Sequence, residues 1–163
     1  MKTYSRLTLA FLLLILVVPP VGSSAPPKDG PQVEYYFSGQ KRCERHYKNG
    51  EKEGLETFWY ENGQKEREYH YKDGKGDGLW TYWHENGQKL SEGEYKNGKL
   101  EGRWNTWHDN GQKAGEGEWK NGEPEGLWTE WHDNGNKALE VTLAGGRQQG
   151  TRVHYDQEGR KRF

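Results

Sequence analysis

The sequence predicts an all-β fold: an elongated, single-layer antiparallel β-meander of about six hairpin repeats, each 24 residues long. Glycine columns lead there first. Gly39, Gly63, Gly87, Gly111, Gly135 and Gly159 keep one spacing, as do the column of Gly50, Gly74, Gly98, Gly122 and Gly146 and that of Gly54, Gly78, Gly102, Gly126 and Gly150. A fixed period without insertion or deletion is the signature of a repeat architecture. The turns come second. Asn86-Gly87 and Asn97-Gly98 lie within one period, with Asp73-Gly74 and Gly145-Gly146 as chemical equivalents. Such pairs favour two-residue type I′ turns, because both central residues need positive φ. Between turns the segments are too short for typical helices and the right length for strands. Each repeat is thus two strands, and the chain a meander of roughly twelve strands.

From the N-terminus, Lys2 and Arg6 precede an apolar run from Leu7 to Val18, then Pro19, Pro20 and the small residues Gly22, Ser23, Ser24 and Ala25. Charge, short apolar core and small residues, in that order, predict a secretory signal peptide over residues 1–24, cleaved after Ser23 or Ser24. The run is well short of the roughly 20 residues that span a bilayer as a helix. An uncleaved anchor is the alternative. A short linker, residues 25–31, leads into the array at residues 32–163. The expected localisation is periplasmic or secreted.

The chain has 24 Lys+Arg and 25 Asp+Glu. Residues 1–24 hold two bases and no acid, so cleavage leaves a net charge of −3. Such a balance lacks the electrostatic footprint of a nucleic-acid binder and disfavours an anionic membrane surface as partner. The basic residues Arg147, Arg152, Arg160, Lys161 and Arg162 read as a solvated end. Cys43 is the only cysteine, so no internal disulfide staples the fold. Apolar content is low at 30%, yet 8 Trp and 10 Tyr argue against disorder because they fall in columns.

Tyr35, Trp59, Trp83, Trp107, Trp131 and Tyr155 form one column, and Val33, Thr57, Thr81, Asn105, Thr129 and Val153 share its face. Trp80, Trp104 and Trp128 point to the other face, with Phe58 and Tyr82. The expected register sets Trp80 opposite Gly93 and Trp104 opposite Gly117, each ring covering bare strand backbone. Where Glu56 stands in the Trp column, Tyr69 stands in the glycine column, and that exchange of volume implies contact. Lys41, Lys65, Lys89, Lys113, Lys137 and Lys161 recur with Glu44, Glu68, Glu92, Glu116 and Glu140 three residues after the first five. They read as charge ladders that keep a thin sheet soluble and in register.

The glycine columns and the phrases WYENGQK, YWHENGQK and EYKNGKLEG resemble the MORN repeat in its variant form, over residues 33 to about 160. The resemblance implies elongated β-meander arrays used in protein assembly or membrane attachment. Many bacterial variants carry an antitoxin label. This sequence departs from both settings: it lacks a basic surplus, and its leader would remove it from a cytoplasmic toxin. A periplasmic immunity role is the form of that label compatible with export.

No catalytic motif is present. His84-Glu85 starts like a zinc-protease motif, but Asn86-Gly87 turns the chain where a helix is needed. His84, His108 and His132 are a column at the repeat period, roughly 10 Å apart by strand spacing. That is too far to share one zinc with ligands at about 2.1 Å, so they read as turn-flanking surface residues. No enzyme, cofactor or metal is expected. The leading expectation is a scaffold that binds a protein partner; binding of a glycan or cell wall through aromatic columns is the alternative, and self-association would also cover an aromatic face. The candidate binding surface is Trp59, Trp83, Trp107 and Trp131 with Trp80, Trp104 and Trp128.

Overall fold

The computed structural model describes residues 27–162; the expected signal peptide lies outside them. One antiparallel sheet takes in every strand: β1 (Gly30–Tyr35), β2 (Lys41–Lys48), β3 (Glu51–Lys52), β4 (Gly54–Trp59), β5 (Lys65–Lys72), β6 (Lys75–Trp83), β7 (Lys89–Lys96), β8 (Lys99–Trp107), β9 (Lys113–Lys120), β10 (Glu123–Trp131), β11 (Lys137–Ala144), β12 (Arg147–Tyr155) and β13 (Lys161–Arg162). Neighbours in sequence are neighbours in the sheet, except that β3 and β4 are two pieces of one strand line, both on β2. β1 starts at Gly30 and so takes in the last two residues of the expected linker.

The two turns of each repeat differ, which corrects one expectation. The turn between the two repeat-spanning strands of adjacent periods is type I′: Asn97 and Gly98 have φ of 51° and 80°, and Asp73-Gly74, Asn121-Gly122 and Gly145-Gly146 behave alike. The turn at Asn86-Gly87 is not. Only Gly87 has positive φ; His84 N–H donates to Gln88 O and Gly87 N–H to His84 O. This is a three-residue loop ending on a left-handed glycine. The longer loop moves the register by one residue, and a bulge between Tyr82 and Trp83 moves it back. The predicted pairs Trp80↔Gly93, Trp104↔Gly117 and Glu56↔Tyr69 therefore all form.

Register places side chains in rows that cross the strands. One row reads Val33, Glu44, Thr57, Glu68, Thr81, Glu92, Asn105, Glu116, Thr129, Glu140, Val153, each residue the cross-strand partner of the next. Small hydroxyl or amide residues alternate with glutamates, which separates like charges. The opposite face carries two rows of larger side chains: Glu56, Tyr69, Trp80, Gly93, Trp104, Gly117, Trp128 and Val141 in one, Phe58, Arg67, Tyr82, Ser91, Thr106, Gly115, Glu130 and Leu139 in the other. Cover comes from within the layer. Cys43, Tyr69, Trp128, Leu139 and Val141 are the buried apolar residues.

Trp104 and Trp128 also lean on the glycine of the preceding hairpin. A Cβ on Gly93 would collide with the Trp104 ring, and one on Gly117 with the Trp128 ring. Trp80 meets Tyr69 there instead and stacks on it, with centroids 4.1 Å apart. Gly93→Ala should therefore lower stability by about 1–3 kcal/mol through overpacking. Gly102→Ala meets no neighbour within 4 Å but must hold φ of +75°, a strain of about 1 kcal/mol. Urea unfolding of both variants checks the order: equal costs would show that the ring over Gly93 yields freely.

Candidate functional site

The seven candidate tryptophans divide between the two faces. Trp59, Trp83, Trp107 and Trp131 lie on the glutamate-threonine face, each beneath the lysine of the preceding repeat. Lys41, Lys65, Lys89 and Lys113 place their ammonium groups 5.1, 5.6, 5.7 and 5.9 Å from the respective ring centroids. Each lysine also bridges the glutamate three residues on, as in Lys41–Glu44 at 2.7 Å and Lys65–Glu68 at 2.6 Å. The lysines thus serve a charge ladder and, unforeseen in the sequence, a cation–π cover for the next repeat.

On the aromatic face, Trp80 is held between Tyr69 and Tyr95, with the second centroid 3.9 Å away. Burial raises the phenols of Tyr69 and Tyr71, and pushes that of Tyr95 up to about 12. Tyr82 lies 6.3 Å from Trp104. Trp128 is 6% exposed and meets Trp119 edge-on at 5.5 Å. Ring contacts link Phe58, Tyr69, Trp80, Tyr82 and Trp104, and beyond Trp104 the rows change character.

Over β9 to β12 they open into a groove of about 300 Å³ lined by Trp119, Pro124, Trp128, Leu139, Val141 and Leu143, with Glu130 and Arg152 at its polar margin. A wider hollow of about 550 Å³ adjoins it, and Glu130 and Leu139 line both. Glu130 stands where Glu34, Phe58, Tyr82 and Thr106 stand in earlier repeats. Its cross-strand partners are Gly115, which has no side chain, and Leu139. No hydrogen bond or ion pair to its carboxylate is found among the described residues. Burial raises its pKa above the ordinary value of 4.5, and the positive charges of Arg152 and His154 offset this only in part. Arg152, in the Trp column, has a buried Nε with no hydrogen-bond partner. At the other end of that column, Glu56 is equally out of place but fully matched: Lys52 Nζ donates to its oxygens at 2.9 and 2.7 Å, and Arg45 lies 3.4 Å away.

The histidine column is not a set of loose surface residues. His84, His108 and His132 are half-buried, and each places Nε2 on a backbone carbonyl 23 residues on, that of Trp107, Trp131 and Tyr155, at 3.0, 2.9 and 3.2 Å. Tyr36 and Tyr60 fill the same column and donate to Trp59 O and Trp83 O. The asparagines two residues further on act in parallel: Asn86 Nδ2 donates to Asp109 O, and its Oδ1 accepts from Gln88 N–H. No group of three metal-ligating side chains occurs among the described residues.

Because tyrosine and histidine alternate naturally there, His108→Tyr should keep stability within about 0.5 kcal/mol, whereas His108→Ala should cost about 1 kcal/mol, a net hydrogen bond. Chemical unfolding decides; equal losses would mean that shape rather than the bond holds the site. Glu130 should show in the pH dependence. A carboxyl whose folded pKa is raised opposes folding when ionised, so the penalty is present above the folded value. It fades as pH falls and is gone below the ordinary value, about pH 4. Glu130→Gln should therefore raise Tm at neutral pH and leave it unchanged near that lower limit; a pH-independent change would contradict the assignment.

A family model described as MORN repeat variant matches five consecutive segments, residues 28–49, 52–73, 76–97, 100–121 and 124–143. Comparison with curated proteins gives no match. The matched segments take in more than half of the chain and coincide with the hairpin periods seen in the sheet. The chain belongs to the MORN repeat variant family.

Proposed function

We propose that this chain is an exported, non-enzymatic scaffold that binds another protein along its aromatic face. The observation that carries the proposal is the difference between the faces. On one, the Trp59 column is capped by lysines that are themselves paired with glutamates. That surface is paired in charge, although Tyr35, Leu55, Leu79 and Leu127 stand exposed on it. The other has only its own layer for cover, and near Trp119 and Trp128 its rows leave an apolar groove. Exposed apolar patches rimmed by polar groups are where proteins dock. An immunity protein facing a toxin in the same compartment is one form of such a scaffold. Export rests on the charge, apolar run and small residues of 1–24.

The test is affinity capture from the envelope fraction with the full chain and with a version lacking residues 79–126, two whole periods. In a one-dimensional array the shortened chain should fold with intact neighbours. We expect recovered bait to begin at Ser24 or Ala25, and bound proteins to be lost from the shortened chain. Retention of the same proteins by both chains would refute docking along the array. Retention on purified peptidoglycan, abolished by Trp104→Ala, would replace the protein partner with a glycan.

A further inference from the structure

Independently of the scaffold reading, we infer that Asn49 is a site of spontaneous covalent modification: of the Asn-Gly pairs in this array, it is the one the fold leaves open to deamidation and isoaspartate formation. The chain has seven such pairs, at Asn49, Asn62, Asn86, Asn97, Asn110, Asn121 and Asn134. In each, the glycine nitrogen is placed to attack the asparagine Cγ. The new N–Cγ bond closes a five-membered imide, the Cγ–Nδ2 bond breaks, and ammonia leaves with the proton the glycine nitrogen gives up. Water then opens the imide at either carbonyl, giving aspartate or isoaspartate. Glycine hinders the attack least because it has no Cβ. The fold controls the rate through the freedom of two groups, the carboxamide and the glycine N–H.

Four pairs are locked at the carboxamide. Asn62, Asn86, Asn110 and Asn134 donate Nδ2 to a carbonyl of the next period at 3.0, 2.7, 2.8 and 2.8 Å, and each Oδ1 accepts the N–H two residues on. Their glycine N–H groups are also bonded, to the carbonyls of Tyr60, His84, His108 and His132. The other three pairs form type I′ turns. Two of these are tied to the preceding period by two bonds each. Gly98 N–H donates to Gly76 O at 2.7 Å and Gly122 N–H to Leu100 O at 2.9 Å, while the Asn97 and Asn121 N–H groups donate to the Asp77 and Glu101 carboxylates. The turns at Asp73-Gly74 and Gly145-Gly146 are tied in the same way.

At Asn49 the pattern fails. Gly50 N–H donates to the exposed Asp29 side chain at 3.1 Å, and no bond from the Asn49 N–H or to its carboxamide is found among the described residues. The nucleophile is thus held by one surface carboxylate where the other turns use a backbone carbonyl. The strand that follows adds little hold, since β3 meets β2 only at Tyr47↔Lys52 and Lys48↔Glu51. Local opening, which frees the glycine nitrogen, therefore costs least here. Asp73, one period on, has φ of 46° and shows that this turn accommodates aspartate. Isoaspartate is different: it adds a methylene to the backbone of a two-residue turn and so disrupts the Lys48↔Glu51 register. Because each period contacts only its neighbours, that damage stays at the N-terminal end of the array.

The test is peptide mapping by mass spectrometry of the full chain aged at mildly alkaline pH, reading the small mass gain of amide-to-acid conversion at each asparagine. Isoaspartyl and aspartyl forms are separated by their elution. Asn49 should convert first, about fivefold faster than Asn97 and Asn121, the factor one net hydrogen bond is worth. Asn62, Asn86, Asn110 and Asn134 should be slower still. Asp29→Ala removes the bond to Gly50 and should speed conversion at Asn49 by a similar factor. Asn97 then serves as the internal control for an intact fold, and its rate should not change. In urea the ranking should vanish, because all seven pairs share the same local chemistry. Equal rates at Asn49 and Asn97 in the folded chain, earlier conversion of any three-residue-loop asparagine, or Asp29→Ala converting at the wild-type rate would each overturn the inference. So would a ranking that persists in urea, since it would then belong to the local sequence and not to the fold.

Discussion

A sheet one layer thick has no second layer to bury its side chains against, so every strand must find its cover in the strand beside it. In this chain the period makes that work. Moving along by one repeat brings an identical set of groups within reach, and each repeat donates to the next. His84 reaches the carbonyl of Trp107, Asn86 that of Asp109, and Lys89 the ring of Trp107. The type I′ turn is tied back in the same way: Gly98 N–H donates to Gly76 O, and Asn97 N–H to the Asp77 carboxylate. Each link alone is worth about a kilocalorie, but several recur at every junction. Stability is then a sum over neighbours, as expected of a quasi-one-dimensional fold.

The same constraint explains why glycine and tryptophan occur as a pair. A large ring lying along the sheet needs a floor without a side chain, and Gly93 and Gly117 supply it to Trp104 and Trp128. Trp80 has Tyr69 at that position, stacks on it and lies over Gly76 instead. The result around Trp80 is an aromatic pack with Tyr69 and Tyr95 on either side. At Val141 the floor is aliphatic and the facing position is Arg152, so no ring closes over it. The groove forms where the alternation of ring and glycine breaks.

Most of this was legible in the sequence because it is periodic. Glycine columns set the repeat, a two-residue loop at Asn86-Gly87 suggests the register, and the exchange of volume between Glu56 and Tyr69 supports it. The turn at Asn86-Gly87 was misread because the dipeptide favours a two-residue turn. What decides is the Asn86 side chain, which accepts from Gln88 N–H and donates to the next repeat, and so holds a longer loop. The register survived only because the bulge after Tyr82 cancels the extra loop residue. The histidines were misjudged for a related reason: their acceptors are backbone carbonyls, which leave no trace in side-chain identity. The exchange of Tyr60 for His84 in one column was the available clue, since both offer a donor at the end of a flat ring.

The site was harder to see, because a search for columns rewards conformity and the informative residues are those that break a column. Glu56, Glu130 and Arg152 all stand where the neighbouring repeats place rings or small residues. From the sequence alone they are equivalent departures. In the fold, Glu56 is 2% exposed and gripped by Lys52 and Arg45, which makes it a substitute for the missing ring: a charged cluster filling the same space. Glu130 is half-buried with no close ion pair, and Arg152 and His154 act on it from further away. The difference arises from what the adjoining strands carry. β2 and β3 bring Arg45 and Lys52 toward Glu56, whereas β9 and β11 bring Gly115 and Leu139 to Glu130. In a repeat protein the residues that serve the fold are those whose neighbours, one period away, answer them. Glu130 is answered only at longer range, by Arg152 and His154 on β12, which offset part of the cost of its burial.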